Sequence, residues 1–296
     1  MTAGKLTGCG TALVTPFTAS GAVDEDALRQ LVEWQIAEGI HFLVPCGSTG
    51  EAATMTVAEH RRVVEIVVQE ANGRVPVVAG AASNDTVKAI ALSREMEAVG
   101  ATHLLHASPM YNKPPQRGII AHFEAIARAT NLPIVVYNVP GRTGSNIEAR
   151  TTLALSRVPH IAAVKEASGN LAQVTDILAG RARSFSVLSG DDELTLAMMV
   201  AGADGIISVI SNATPRLMAQ LCERALAGDF AAARELHFTL LPWMRAAFVE
   251  SNPLAAKAGL AMMGRIQNVL RLPLVPLDPK HDATVRAALQ HAGALA

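Results

Sequence analysis

Eight short apolar runs, set between longer amphipathic stretches, limit what this chain can fold into. They are TALVTP (11–16), FLVPC (42–46), VPVVAG (75–80), THLLHASP (102–109), LPIVVYNVP (132–140), HIAAVKEAS (160–168), FSVLSG (185–190) and DGIISV (204–209). Each is too short for a buried helix, is rich in Val, Ile or Ala, and ends at Gly, Pro or Ser. None alternates strictly between apolar and polar residues, so they read as strands buried on both faces, which implies a parallel sheet. The segments between them carry helix signals. Asp24 is placed to cap a helix running to Gly39, and Thr56 with Glu59 forms a T-x-x-E capping box before a helix closed by Gly73. Asp85 and Asp191 are placed to cap helices ending near Gly100 and Gly202. Strand and helix alternating eight times predict a (β/α)8 barrel. A doubly wound sheet would call for a glycine-rich phosphate turn, and no G-x-G-x-x-G is present.

The strand pattern stops near residue 228. Beyond it, DFAAARELHFTLLPWMRAAF, NPLAAKAGLAMMG and DATVRAALQHAG read as three helices, with RLPLVPLDP (271–279) as a proline-rich connector. The expected organisation is a catalytic barrel over 1–228 and a docked helical subdomain over 229–296. Half the residues are hydrophobic and the formal net charge is −1, so nucleic acid and anionic membrane are not expected partners. Attraction for an acidic substrate must come from a local site. Three widely spaced cysteines show no disulfide or zinc spacing, and the N-terminus lacks the apolar core of a signal peptide. No apolar stretch is long enough to span a bilayer. A cytoplasmic protein is the expectation.

Barrel enzymes of this kind carry their sites at the C-terminal ends of the strands. The polar residues there are Thr15, Gly47-Ser48-Thr49-Gly50-Glu51, Tyr111, Tyr137, Asn138, Lys165 and Gly190-Asp191-Asp192. Lys165 is the most informative. Period-two alternation puts Ile161, Ala163 and Lys165 on one face of their strand, with Ala162 and Val164 on the other. If the first two fill the barrel, Lys165 points up its axis, where poor solvation lowers the pKa of its amine. Only the neutral amine attacks a carbonyl to form a Schiff base. The alternative is a lysine that reaches water or pairs with a carboxylate. Tyr137 ends the neighbouring strand, roughly 5 Å away, where a phenol can move the protons of imine formation; a tyrosine packed under a loop is its plainer reading. The GSTGE loop offers two hydroxyls and free backbone N–H groups that suit a carboxylate, although such a loop is often only a turn. Arg142 offers a planar fork for a second carboxylate, or else is a solvated surface arginine. Asp191, Asp192 and Glu193 fit a helix N-terminus better than a metal site. The scattered histidines show no ligand spacing, so no metal is expected.

Taken together, GSTGE, PMYNKP (109–114), YNVPGRTG (137–144), VKEASGN (164–170) and SGDD (189–192) resemble, in order and spacing, the dihydrodipicolinate synthase family of the N-acetylneuraminate lyase superfamily. The resemblance covers almost the whole chain, from TALVTPF to ESNPLAAK (250–257). It implies an enzyme without a cofactor that condenses pyruvate with L-aspartate 4-semialdehyde. It further implies that Lys165 carries the pyruvate imine and that Tyr137, Ser48 and Tyr111 form a proton relay. Tyr111 would reach a neighbouring subunit of a homotetramer. Thr49 would hold the pyruvate carboxylate and Arg142 that of the semialdehyde. Gly190 and Ile207 would line the pyruvate pocket.

The chain also departs from that pattern. Ser48 stands where threonine is usual, and Gly141 where serine or another small residue is frequent. At positions where many members bind the feedback inhibitor L-lysine, a glutamate and an aromatic are replaced by Lys88 and Met110. Ala52 and Val57 occupy other contact positions, and Asn84 and His60 supply no charge in compensation. Weak or absent L-lysine inhibition is therefore expected. Two other functions remain open: a retro-aldolase for N-acetylneuraminate or a 2-keto-3-deoxy sugar acid, and a silent oxo-acid-binding regulatory protein. Arg142 speaks against the first, because a sugar offers hydroxyls where the semialdehyde offers a carboxylate. The second would be marked by loss of the lysine or tyrosine, and both are present.

Overall fold

A computed structural model describes residues 5–296. Eight parallel strands lie in the hydrogen-bonded order β2-β1-β8-β7-β6-β5-β4-β3. They are β1 (Gly8–Ala12), β2 (Phe42–Val44), β3 (Val78–Gly80), β4 (His103–Ala107), β5 (Ile134–Asn138), β6 (Ile161–Glu166), β7 (Ser186–Ser189) and β8 (Gly205–Ser208). The remaining seam, between β2 and β3, is closed by a parallel bridge from Leu43 to Val77, with Leu43 N donating to Pro76 O at 3.0 Å. The (β/α)8 barrel expected from the alternating pattern is therefore the fold.

Closure explains where the first strand departs from expectation. TALVTP (11–16) was expected to be the strand, yet β1 runs through Gly8, Cys9 and Gly10. Glycines weaken a strand in isolation, but here they make closure possible. A Cβ on Gly10 would lie 2.0 Å from the Phe42 ring, and one on Gly205 would lie 1.9 Å from Gly8 O. The barrel can bring β1 against β2 and β8 only where side chains are missing.

Inward residues such as Val44, Leu105, Val135, Tyr137, Ala163 and Leu188 form one apolar cluster inside the barrel. A second, larger cluster fills the layer between strands and helices. The alternation expected along β6 breaks once. The β5–β6 register slips between Ile134 and Val135, so that Ile134 pairs with Ile161 and Val135 with Ala163. Ile161 consequently packs in the outer layer with Val164, contrary to its expected place inside. Ala163 and Lys165 keep their inward face, because the irregularity sits below them.

Three of the four expected helix caps form. The Asp24 side chain caps Glu25–Ala37, Asp85 caps Thr86–Ala98, and Thr56 with Glu59 makes a complete capping box for Val57–Ala71. Asp191 does not cap its helix as expected. Thr195–Val200 begins after Leu194 without a side-chain cap, while Asp191 Oδ1 accepts from the N–H groups of Glu193 and Leu194 in the preceding turn. The tail forms helices Phe230–Ala246, Leu254–Met262 and Asp282–His291. They pack onto the barrel: Trp243 is fully buried, and its indole N–H donates to Ile210 O at 3.2 Å. Among the described residues, no helix is long and apolar enough to cross a membrane.

Candidate active site

The C-terminal strand ends open into a cavity of about 440 Å³ whose wall includes Ser48, Thr49, Tyr137, Arg142, Lys165 and Gly190. Lys165 rises from the end of β6, where it pairs in register with Tyr137 on β5. Its Nζ lies 4.2 Å from the centroid of the Tyr137 ring. Lys165 is 5% exposed and Tyr137 8%. Burial pulls the Lys165 amine down to about 7; the Asp192 carboxylate opposes this and the Arg142 guanidinium adds to it. Burial also pushes the Tyr137 phenol up to about 12, with Arg142 opposing. At neutral pH the site thus holds a partly neutral amine beside a protonated phenol, which is the pairing that imine formation needs.

Gly190 has a specific reason to be glycine. A Cβ there would lie 2.7 Å from the Ala167 Cβ and 2.9 Å from the Lys165 Cε. The missing side chain is the space through which the Lys165 stem passes.

The loop after β2 contributes Gly47, Ser48 and Thr49 to the wall. Thr15 Oγ1 donates to Gly50 O at 2.8 Å, which ties the loop to the end of β1. Thr49 Oγ1 accepts from Asn252 Nδ2 at 2.9 Å, so its own O–H remains available to the cavity. Arg142 sits in a one-turn helix, Pro140–Thr143. The loop that carries it is anchored from below: Asn138 Nδ2 donates to both Glu166 oxygens at 3.1 and 3.0 Å, and Asn138 Oδ1 accepts from Ile147 N at 2.9 Å. Arg142 Nη2 points toward Asn252 O at 3.5 Å.

Two of the expected residues lie elsewhere. Ile207 is buried in the interior cluster that also holds Tyr137 and is not among the residues of the cavity wall. Tyr111 is 89% exposed, with a left-handed φ of 71°, and lies outside the cavity of its own chain.

Three further residues belong to the site or its support, although their sequence context assigns them no such role. Asp192, assigned to a helix start, is buried; Ser208 Oγ donates to it at 2.5 Å and Val209 N at 3.1 Å. Burial lifts its carboxyl to about 6, these hydrogen bonds opposing. Asn252, within the ESNPLAAK motif, touches both the GSTGE loop and Arg142. Arg245, from Phe230–Ala246, joins the cavity rim and pairs with Glu193 at 2.8 Å. No local signal marks residues of a distant helix as neighbours of a strand end.

A lysine and tyrosine so placed, with hydroxyls and an arginine on one wall, fit a Schiff-base enzyme of an anionic carbonyl substrate. The model of the dihydrodipicolinate synthetase family matches residues 5–292. The chain belongs to that family. It is 51% identical over 292 residues to the 4-hydroxy-tetrahydrodipicolinate synthase of Koribacter versatilis, covering 98% of this chain and 97% of that protein. Among solved structures, the dihydrodipicolinate synthase of Aquifex aeolicus superposes with a TM-score of 0.95 at 40% identity, covering 97% of this chain and 98% of that one. The chloride-inhibited dihydrodipicolinate synthase of Acinetobacter baumannii, complexed with pyruvate, gives 0.97 at 38%, covering 98% and 100%. The family and barrel expected from the motifs are both borne out.

Proposed function

We propose that this enzyme condenses pyruvate with L-aspartate 4-semialdehyde, the reaction of 4-hydroxy-tetrahydrodipicolinate synthase, serving lysine and diaminopimelate synthesis. The observation that carries the reading is the buried Lys165 amine, held to about 7 over the Tyr137 ring at the barrel mouth. The neutral amine adds to the pyruvate ketone, and the carbinolamine loses water to give the imine. The Tyr137 phenol, protonated at neutral pH, supplies a proton to the departing hydroxyl, with Ser48 as the next member of the relay. The protonated imine is the electron sink, so no cofactor is needed. Loss of a methyl proton gives an enamine, whose carbon attacks the semialdehyde carbonyl. The substrate's own amine then displaces Lys165 by transimination, closing the ring and freeing the lysine.

Thr49 and its loop amides hold the pyruvate carboxylate, while Arg142 receives the second carboxylate. Gly190 leaves the room that Lys165 and pyruvate share, and Ile207 packs behind it in the interior cluster with Tyr137. Tyr111, too exposed to serve its own cavity, completes the relay of a neighbouring subunit in a homotetramer. We place the enzyme in the cytoplasm, in keeping with three buried free cysteines. Residues 229–296 act as a subdomain that completes the barrel's rim.

Treatment with pyruvate and borohydride tests the reading, with the mass increment expected on Lys165. Condensation with the semialdehyde is expected to far exceed sugar-acid cleavage. Arg142→Ala is expected to depress semialdehyde turnover while leaving imine trapping intact. Trapping on another residue, or equal damage to both steps, removes the assignment.

A further inference from the structure

The loop that carries Ser48 and Thr49 turns through Glu51, whose φ is 56°. A non-glycine residue stays in that left-handed region only where its surroundings hold it. Here the hold comes from the far end of the chain. Lys257 Nζ donates to Glu51 Oε1 at 2.5 Å and to Val269 O at 2.7 Å, and Arg271 N donates to Glu51 Oε2 at 3.1 Å. Both side chains of the ion pair are fully shielded from solvent, and the Phe17 ring centroid lies 4.1 Å from the ammonium. From the same stretch, Asn252 Nδ2 donates to Thr49 Oγ1 at 2.9 Å. The loop is thus gripped on both sides of Gly50 by the start of helix Leu254–Met262.

Stability alone is a weak reason for such a pair, since the desolvation of two buried charges about cancels their attraction. Location is the stronger one. Glu51 lies two positions from a hydroxyl that faces the cavity, and two donors, Lys257 Nζ and Arg271 N, hold one carboxylate oxygen each. We propose that Lys257 is a positioning residue: through Glu51 it sets the Thr49 hydroxyl and the adjacent loop amides against the carboxylate of the keto acid. The C-terminal helices are then part of the mounting of the pyruvate-binding loop. The inference rests on Thr49 as the holder of that carboxylate.

Lys257→Met alone leaves Glu51 buried and unpaired, and general destabilisation is expected. The informative protein is the double variant Glu51→Gln/Lys257→Met, which removes both charges of this buried pair. Its melting temperature is expected to recover toward wild type, while the pyruvate KM stays raised about tenfold or more and kcat changes less than about threefold. A stable double variant with wild-type pyruvate KM overturns the proposal. If neither variant folds, amide exchange in the unaltered enzyme decides. Loop residues 47–52 and helix Leu254–Met262 are expected to open together, and a loop that exchanges many-fold faster than the helix overturns the proposal. Thr49→Val separates the two readings. An unchanged pyruvate KM in that variant removes Thr49 as the carboxylate's holder, whereas concerted exchange reports on the strut alone.

Discussion

The pH dependence of pyruvate capture reports directly on the buried amine. With Lys165 held to about 7, the neutral fraction at pH 7 is about one half, against about 1 in 2,500 for a solvated lysine of pKa about 10.4. Burial therefore supplies roughly a thousandfold more nucleophile at neutral pH. Over a window from about pH 6.5 to about 8.5 the neutral fraction rises from about 0.24 to about 0.97, so kcat/KM for pyruvate is expected to rise about fourfold and flatten. A solvated lysine would give a rise of about 100-fold across the same window, with no plateau. The window starts above the Asp192 carboxyl, which burial lifts to about 6. Asp192 ionised raises the Lys165 pKa, so Asp192→Asn is expected to move the midpoint to lower pH. Initial rates at limiting pyruvate and saturating semialdehyde, or borohydride trapping rates, measure the profile. A log-linear rise of one decade per pH unit throughout would mean a solvated amine and rule out a depressed pKa at Lys165.

Lys165 also carries a stability cost whose sign is fixed. Its folded pKa lies below its unfolded value, so the unfolded chain binds the extra proton and the cost is full below about pH 7, fading as pH rises toward about 10.4. Lys165→Met is expected to stabilise the fold at pH 7 by at most about 4 kcal/mol, and the gain should shrink by pH 10; denaturant melts that show an equal gain at both pH values contradict it. Gly190→Ala introduces a Cβ 2.7 Å from Ala167 and 2.9 Å from Lys165. Imine trapping is expected to fall at least about tenfold in a protein that still folds, read as mass increment per minute. L-lysine is expected to inhibit weakly or not at all. The positions Ala52, Val57, His60 and Met110 line a neighbouring pocket of about 290 Å³ that no carboxylate enters among the described residues. Half-inhibition at sub-millimolar L-lysine would overturn that expectation.

Local patterns in the chain determined the barrel, its helix caps and the candidate lysine and tyrosine. Each depends on relations within one element, or between two adjacent ones: apolar runs of strand length, Asp and Thr at helix starts, and a polar residue at a strand's C-terminal end. The full-length motif set determined the family as well. What lies across the barrel depends on the folded arrangement. The β5–β6 slip that moves Ile161 outward is a property of pairing, and the extension of β1 through its glycines depends on how closely Phe42 and β8 approach. Asp192 looks like an ordinary helix-start acid until Ser208 and Val209 close over it, and Asn252 and Lys257 become neighbours of Thr49 and Glu51 about two hundred residues away only when the last helices dock. A pKa displaced by burial follows the same rule. Desolvation sums over every atom that excludes water, and for Lys165 those atoms come from strands spread across the chain, so the amine's reactivity exists only in the folded barrel.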